Sequence, residues 1–171
     1  MIPPHWLEAD ARWSQRLRVA EQPGWRRRGA ALLAHSGDSW FWGMGLALLW
    51  WRGTPAWQVV AGKTFVAVAC LAVVVLVIKF LVRRRRPQGE WGAIYRNTDP
   101  HSFPSGHAAR ATLLAVLATG WTPPWLAAAL WIWTPLVALA RVAMGLHYVS
   151  DVFAGVLLGL AAGAAALAFL G

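Results

Sequence analysis

Charge is scarce in this chain. Only 13% of its 171 residues are charged, about half the roughly 25% usual in a soluble domain. Acid is scarcer than base: seven Asp and Glu stand against 16 Lys and Arg, a formal charge of +9. That sign invites a nucleic-acid reading. No basic element lies outside the stretches that flank apolar runs, however, so nucleic-acid binding is disfavoured. Cysteine occurs once, at position 70. An intrachain disulfide is excluded, and Cys70, set inside an apolar run, is expected to be a buried small side chain. Neither H-x3-H nor H-E-x2-H occurs, so metal binding is not expected. The first 36 residues hold no apolar h-region, and no signal peptide is expected. No internal repeat or low-complexity linker divides the chain, and its length suits one domain.

Apolar residues dominate what is present. They make up 58% of the chain, and 13 residues are Trp. The mean hydropathy is +0.46. Trp favours the membrane–water boundary, where its ring is buried and its N–H stays wet. Trp40, Trp42, Trp50, Trp51, Trp57, Trp121 and Trp125 sit near the ends of apolar runs. Those runs predict membrane spans at roughly 37–51, 58–82, 106–121, 125–140 and 148–170. Residues 1–36 read as an amphipathic interfacial segment. Trp6, Leu7, Trp13, Leu17 and Val19 alternate there with Arg12, Arg16 and Arg18, and Pro23-Gly24 ends the helix. The expected fold is all-α: an integral membrane helical bundle over 37–171 of about five transmembrane helices, with an amphipathic N-terminal helix before it. An extra crossing within 1–36 would make six. Gly155, Gly159 and Gly163 recur every four positions, a spacing that lets another helix approach closely. A homo-oligomer through such Gly-rich faces is one expectation.

Three polar clusters interrupt the apolar pattern. They are Lys79-x6-Arg86-Pro87, Pro104-Ser105-Gly106-His107 and Arg141-x5-His147-x3-Asp151. Five spans put all three on one membrane face. Cutting a phosphate ester needs positive charge on the nonbridging oxygens, an in-line nucleophile and a proton for the leaving oxygen. Lys79, Arg86 and Arg141 offer the charge, and an arginine fork can hold two phosphate oxygens. Ser105 and Gly106 open a predicted helix, whose N–H groups and dipole favour an anion. His147 and Asp151 are one helical turn apart on one face. A carboxylate there orients the imidazole and leaves its other nitrogen free to attack phosphorus. His107 is the candidate acid for the leaving alkoxide and base for the resolving water.

In this order and spacing, KFLVRRRRP, FPSGHA and ARVAMGLHYVSD resemble the signature of the type 2 phosphatidic acid phosphatase superfamily. That signature reads K-x6-RP, PSGH and SR-x5-H-x3-D. The resemblance covers about residues 79–159. It implies a phosphohistidine on His147 with Asp151 as its partner, and His107 as general acid. It also implies phosphate binding by Lys79, Arg86, Ser105, Gly106 and Arg141, with no metal or other cofactor. Ala140 departs from the family's usual Ser, which removes one hydroxyl near the site and leaves Arg141, His147 and Asp151 in place.

The substrate expected from this resemblance is a lipid phosphate in the bacterial inner membrane: polyprenyl diphosphate, phosphatidylglycerol phosphate or phosphatidic acid. Phosphate transfer between lipids and a non-catalytic headgroup-binding protein are the alternatives. Arg83, Arg84 and Arg85 read as a positive-inside anchor, and positive-inside counting puts the site on the cytoplasmic face. Asp38 reads as a helix N-cap. Tyr95, Arg96, Asn97 and Asp99 would shape the headgroup pocket or form a solvated loop. Arg110 would add charge to the pocket or bind lipid phosphate, and His101 stands near enough to line the site.

Overall fold

The computed structural model describes residues 4–89 and 91–171; residues 1–3 of the N-terminal segment and position 90 lie outside it. Among the described residues eight helices follow in order: α1 (Pro4–Arg16), α2 (Trp25–Ser36), α3 (Ser39–Arg52), α4 (Pro55–Val82), α5 (Ala93–Thr98), α6 (Gly106–Trp121), α7 (Pro124–Ala143) and α8 (Val149–Leu170). Among the described residues there is no strand, only one isolated antiparallel bridge between Arg85 and His101. The boundaries have local causes. Pro55 and Pro124 occupy first turns, where the missing N–H costs nothing. Helix α4 ends where Arg83 turns left-handed and its N–H closes on the Lys79 carbonyl.

Helix α6 is the axis of the bundle. Ala108, Ala109, Ala111, Leu113, Ala115 and Leu117 along it are almost wholly buried. Helix α8 lies against it through Gly155, Gly159 and Gly163. A Cβ at Gly155 would fall 2.5 Å from the Ser105 carbonyl oxygen, and one at Gly159 2.3 Å from that of Ala109. The glycine stripe therefore packs on α6 of the same chain. Helix α4 buries Ala61, Thr64, Ala67, Leu71, Val75 and Lys79 on one face. Its Phe65, Val66, Val73, Val77 and Phe80 point outward. So does Cys70, which is exposed and not buried, because it falls off the inward stripe. Apolar side chains facing out all along a helix suit lipid as the solvent.

Among the described residues, three helices are long and apolar enough to cross a membrane: α4, α7 and α8. The 28 residues of α4 reach about 42 Å at 1.5 Å per residue. The 14 residues of α3 reach only about 21 Å against a core of roughly 30 Å. The N-terminal segment holds two helices and not one. Helix α1 ends at Arg16, well before Pro23, because the Val19 N–H leaves the helix to meet the Ala143 carbonyl at 2.8 Å. Trp6 and Trp13 face outward from α1, while Ser14 is buried against the bundle.

Candidate active site

The loop after α4, the start of α6, the end of α7 and the α7–α8 connection meet at one end of the bundle. They enclose a cavity of about 190 Å³. Lys79, Arg86, Gly106, His107, Arg141 and His147 line its polar side; Val68, Leu71, Ala72, Val75 and Leu76 of α4 line its apolar side. Six of the eight residues singled out by sequence thus share one cavity.

The cations are buried and held from behind. Arg86 donates to the Asp99 carbonyl at 2.6 Å, the Leu146 carbonyl at 2.8 Å and the Asp99 carboxylate at 2.8 Å. Lys79 donates to the same carboxylate oxygen and to the His101 carbonyl at 3.0 Å. Arg141 is wholly buried, stacks 4.7 Å from the Tyr95 ring centre and donates to the Ala34 carbonyl at 3.3 Å. Among the described residues its Nε and Nη2 have no hydrogen-bond partner. Two unpartnered buried donors beside a cavity are what an oxyanion would satisfy.

His147 is 1% exposed. Its Nδ1 lies 2.8 Å from the Ser102 carbonyl, which can only accept, so Nδ1 carries the proton. Nε2 is left with its lone pair, 3.1 Å from Arg86 Nη1. Burial, reinforced by Arg86, Arg141 and Lys79, pushes the imidazole well below the ordinary histidine range. The neutral ring is thus the resting form. Asp151 stands 3.7 Å from Nδ1. Its carboxylate accepts from the Tyr148 N–H and from Arg84, each at 2.8 or 2.7 Å. The nearest orienting group of His147 is therefore the Ser102 carbonyl, with Asp151 behind it.

Ser105 also differs from expectation. Its N–H donates to the Asp151 carbonyl at 2.9 Å, and its Oγ accepts from the Ala108 N–H at 3.4 Å. It caps α6, and the cavity wall falls to Gly106 and His107. Ala140 faces Ala34 and Met144 in the α2–α7 packing, away from the cavity.

Several residues outside the motifs complete the site. All four aspartates of the chain are paired here. Asp99 bridges Lys79 and Arg86. Asp10 of α1 meets Arg84 at 2.7 Å, and Arg84 carries on to Asp151. Ser14 Oγ accepts from the Val149 N–H at 3.0 Å, so α1 caps α8 from outside. Arg84 is therefore an ion-pair bridge and not a membrane anchor, whereas Arg83 stays exposed. Nothing in a run of four arginines distinguishes the second. Asp38 occupies the N-cap position of α3 but makes no capping hydrogen bond. Its carboxylate accepts from His107 Nε2 at 2.7 Å and from Tyr95 Oη at 3.0 Å, with His35 Nδ1 also at 3.0 Å. Burial alone would raise the Asp38 carboxyl; the His107 and His35 hydrogen bonds outweigh it and hold it well below the usual carboxylate range. Tyr95, Asp99 and Arg110 line the cavity, whereas His101 turns its ring onto Phe80. Among the described residues, no three His, Cys, Asp or Glu side chains are grouped to hold a metal ion.

A model of the PAP2 superfamily matches residues 60–171. The chain belongs to the PAP2 superfamily. Asp38 and His35 precede the matched residues, whereas the three polar clusters lie within them. The chain is 38% identical over 140 residues to a decaprenylphosphoryl-5-phosphoribose phosphatase of Mycobacterium tuberculosis, covering 77% of this PAP2 chain and 73% of that one. It is 36% identical over 135 residues to the Mycolicibacterium smegmatis protein of that name, covering 74% and 69%. Its fold is similar to the crystal structure of a transmembrane PAP2-type phosphatidylglycerolphosphate phosphatase from Bacillus subtilis. The TM-score is 0.75 at 24% identity, over 98% of this chain and 87% of that one. It is also similar to Aquifex aeolicus LpxE, with a TM-score of 0.70 at 21% identity over 91% and 94%.

Proposed function

We propose that this lipid phosphatase of the PAP2 type hydrolyses a phosphomonoester on a polyprenyl-linked headgroup, of the decaprenylphosphoryl-5-phosphoribose class, through a phosphohistidine and without a metal. The observation that carries the reading is the two-sided cavity. Lys79, Arg86 and Arg141 meet one end of a bound molecule, and an apolar wall of α4 meets the other. The kinship to the mycobacterial phosphatases supports the headgroup.

His147 Nε2 attacks phosphorus while the ester P–O bond breaks. His107 gives its proton to the leaving alkoxide, and the cations hold the equatorial oxygens. Water then attacks the phosphohistidine and gives a proton to His107. The N–P electron pair returns to Nε2, and inorganic phosphate leaves. A neutral His147 suits the attack, because a protonated ring has no lone pair to offer.

The protein is read as a multi-pass protein of the bacterial inner membrane, with α4, α7 and α8 as full crossings and the shorter α3 and α6 completing about five spans. The arginines of residues 1–36 and the site loops favour a cytoplasmic-facing site. Cysteine accessibility of His101→Cys in a Cys70→Ser background tests that side.

The function is tested by phosphate release in detergent, with chelator present. The panel is decaprenylphosphoryl-5-phosphoribose, phosphatidylglycerol phosphate, phosphatidic acid and undecaprenyl diphosphate. The phosphoribose lipid is expected to give the highest kcat/KM, and His147→Ala to give none. Preference for another lipid would overturn the headgroup assignment, and loss of turnover in chelator the metal-free route.

A further inference from the structure

We propose that Asp38 is the positioning residue of the general acid: its carboxylate holds the Nε2–H of His107 and so presents Nδ1 to the leaving oxygen. This rests on the acid role proposed above for His107. A carboxylate is an acceptor only, so at 2.7 Å the shared proton belongs to Nε2. The nitrogen left for substrate is Nδ1. When His107 is doubly protonated, Nδ1–H passes its proton to the alkoxide oxygen as the P–O bond breaks. The ring stays neutral, its Nε2–H still on Asp38, and Nδ1 takes a proton back from the attacking water. Asp38 stays ionised throughout; its charge favours the protonated ring from which the acid step starts.

The turn that carries Asp38 is built for this contact and for no helix cap. Arg110, one turn beyond His107 on α6, donates to the Gly37 carbonyl and to Ser39 Oγ, the latter at 2.8 Å. Trp42 Nε1 donates to the Ser36 carbonyl at 3.0 Å, and Trp133 Nε1 to Ser36 Oγ at 2.9 Å. Gly37 lies so close to the His107 ring that a Cβ there would stand 3.1 Å from Cδ2. Tyr95 Oη donates to the same carboxylate from α5, and His35 borders it from α2. The other charged or titratable groups that act on His107 are Arg110 of its own helix, Arg141 of α7 and His147 of the α7–α8 connection. Asp38 is the single carboxylate in direct contact with the ring among the described residues.

The test compares leaving groups, pH profiles and KM in purified wild-type, Asp38→Asn, Asp38→Glu and His107→Ala proteins. First-turnover cleavage is followed on an alkyl ester, phosphatidic acid, and on 4-nitrophenyl phosphate, whose phenolate departs without a proton. Asp38→Asn is expected to slow the alkyl ester by about 100-fold. On the nitrophenyl ester its loss should be less than about a tenth as large, with KM little changed on both. Removing the carboxylate also moves the alkaline limb of kcat/KM to lower pH, because the protonated ring loses its neighbour. Asp38→Glu keeps the charge and should recover that limb in part. Vanadate inhibition within about threefold of wild type marks an intact cavity in each variant. Equal losses on both esters with an unmoved alkaline limb would overturn the role of Asp38, provided His107→Ala shows the leaving-group dependence. If His107→Ala lacks that dependence, the acid assignment itself fails. If Asp38→Asn does not accumulate, an Asp38→Glu profile with a lost alkaline limb and equal losses on both esters overturns the proposal in its place.

Discussion

The two histidines of the cavity carry the same side chain in opposite surroundings. His147 sits in the connection between α7 and α8, with a neutral carbonyl on Nδ1 and the Arg86 guanidinium beside Nε2. His107 sits in the first turn of α6, with an ionised carboxylate on Nε2. A carbonyl on Nδ1 keeps the His147 proton on that nitrogen, and a carboxylate on Nε2 keeps the His107 proton on the other. The difference suits one ring to attack and the other to move protons. It comes from partners and not from the histidines themselves.

The largest effect expected from breaking this contrast is at His147. His147→Ala should lower phosphate release by about 10⁴-fold or more, and acid-quenched enzyme should lose its phosphorylated form. A variant that still accumulates phosphoenzyme would move the nucleophile elsewhere. Asp151→Asn should cost less, about 10²-fold, because the Ser102 carbonyl still orients the ring. A loss as large as that of His147→Ala would show that the carboxylate, and not the carbonyl, sets the tautomer.

The pH profile sharpens the comparison without removing a histidine. Attack needs neutral His147, and its depressed pKa moves the acid limb of kcat/KM down. Activity should persist below about pH 6.5, where an ordinary histidine protonates. Lys79→Met removes one of the charges that depress it and should move the limb upward. A limb that stays in place would separate His147 from that titration.

Two smaller effects test the supports. Asp10→Asn loosens the Arg84 bridge to Asp151 and should lower kcat by about threefold, with faster proteolysis of α1. Ala140→Ser restores the residue usual in the family signature. Because Ala140 packs against α2, kcat should change by less than about twofold, and thermal stability should fall by about 1 kcal/mol for the buried hydroxyl.

Much of this site was legible in residue order. The helix period places His147 and Asp151 on one face, and hydropathy places the three clusters at the ends of spans. The orientation of Ser105 was not legible, because its N–H is claimed by the Asp151 carbonyl of another helix. Nor was Arg84, which differs from Arg83 and Arg85 only in what stands opposite it. Asp38 read as a cap because a carboxylate before an apolar run usually is one. The scarcity of acid was the available signal: with only four aspartates in an apolar chain, each merits a partner search.

By itself the sequence determined the helical membrane character, the three motifs and the identity of the two histidines. Those depend on local spacing and on hydropathy, which neighbouring residues fix. Only the tertiary structure decided which acceptor meets which ring. Asp38 and His107 are 69 positions apart, and Ser102 and His147 are 45. No periodicity reaches across such separations. The close glycine packing of α8 on α6, and the Arg110 clamp on the α2–α3 turn, bring those groups within hydrogen-bond distance.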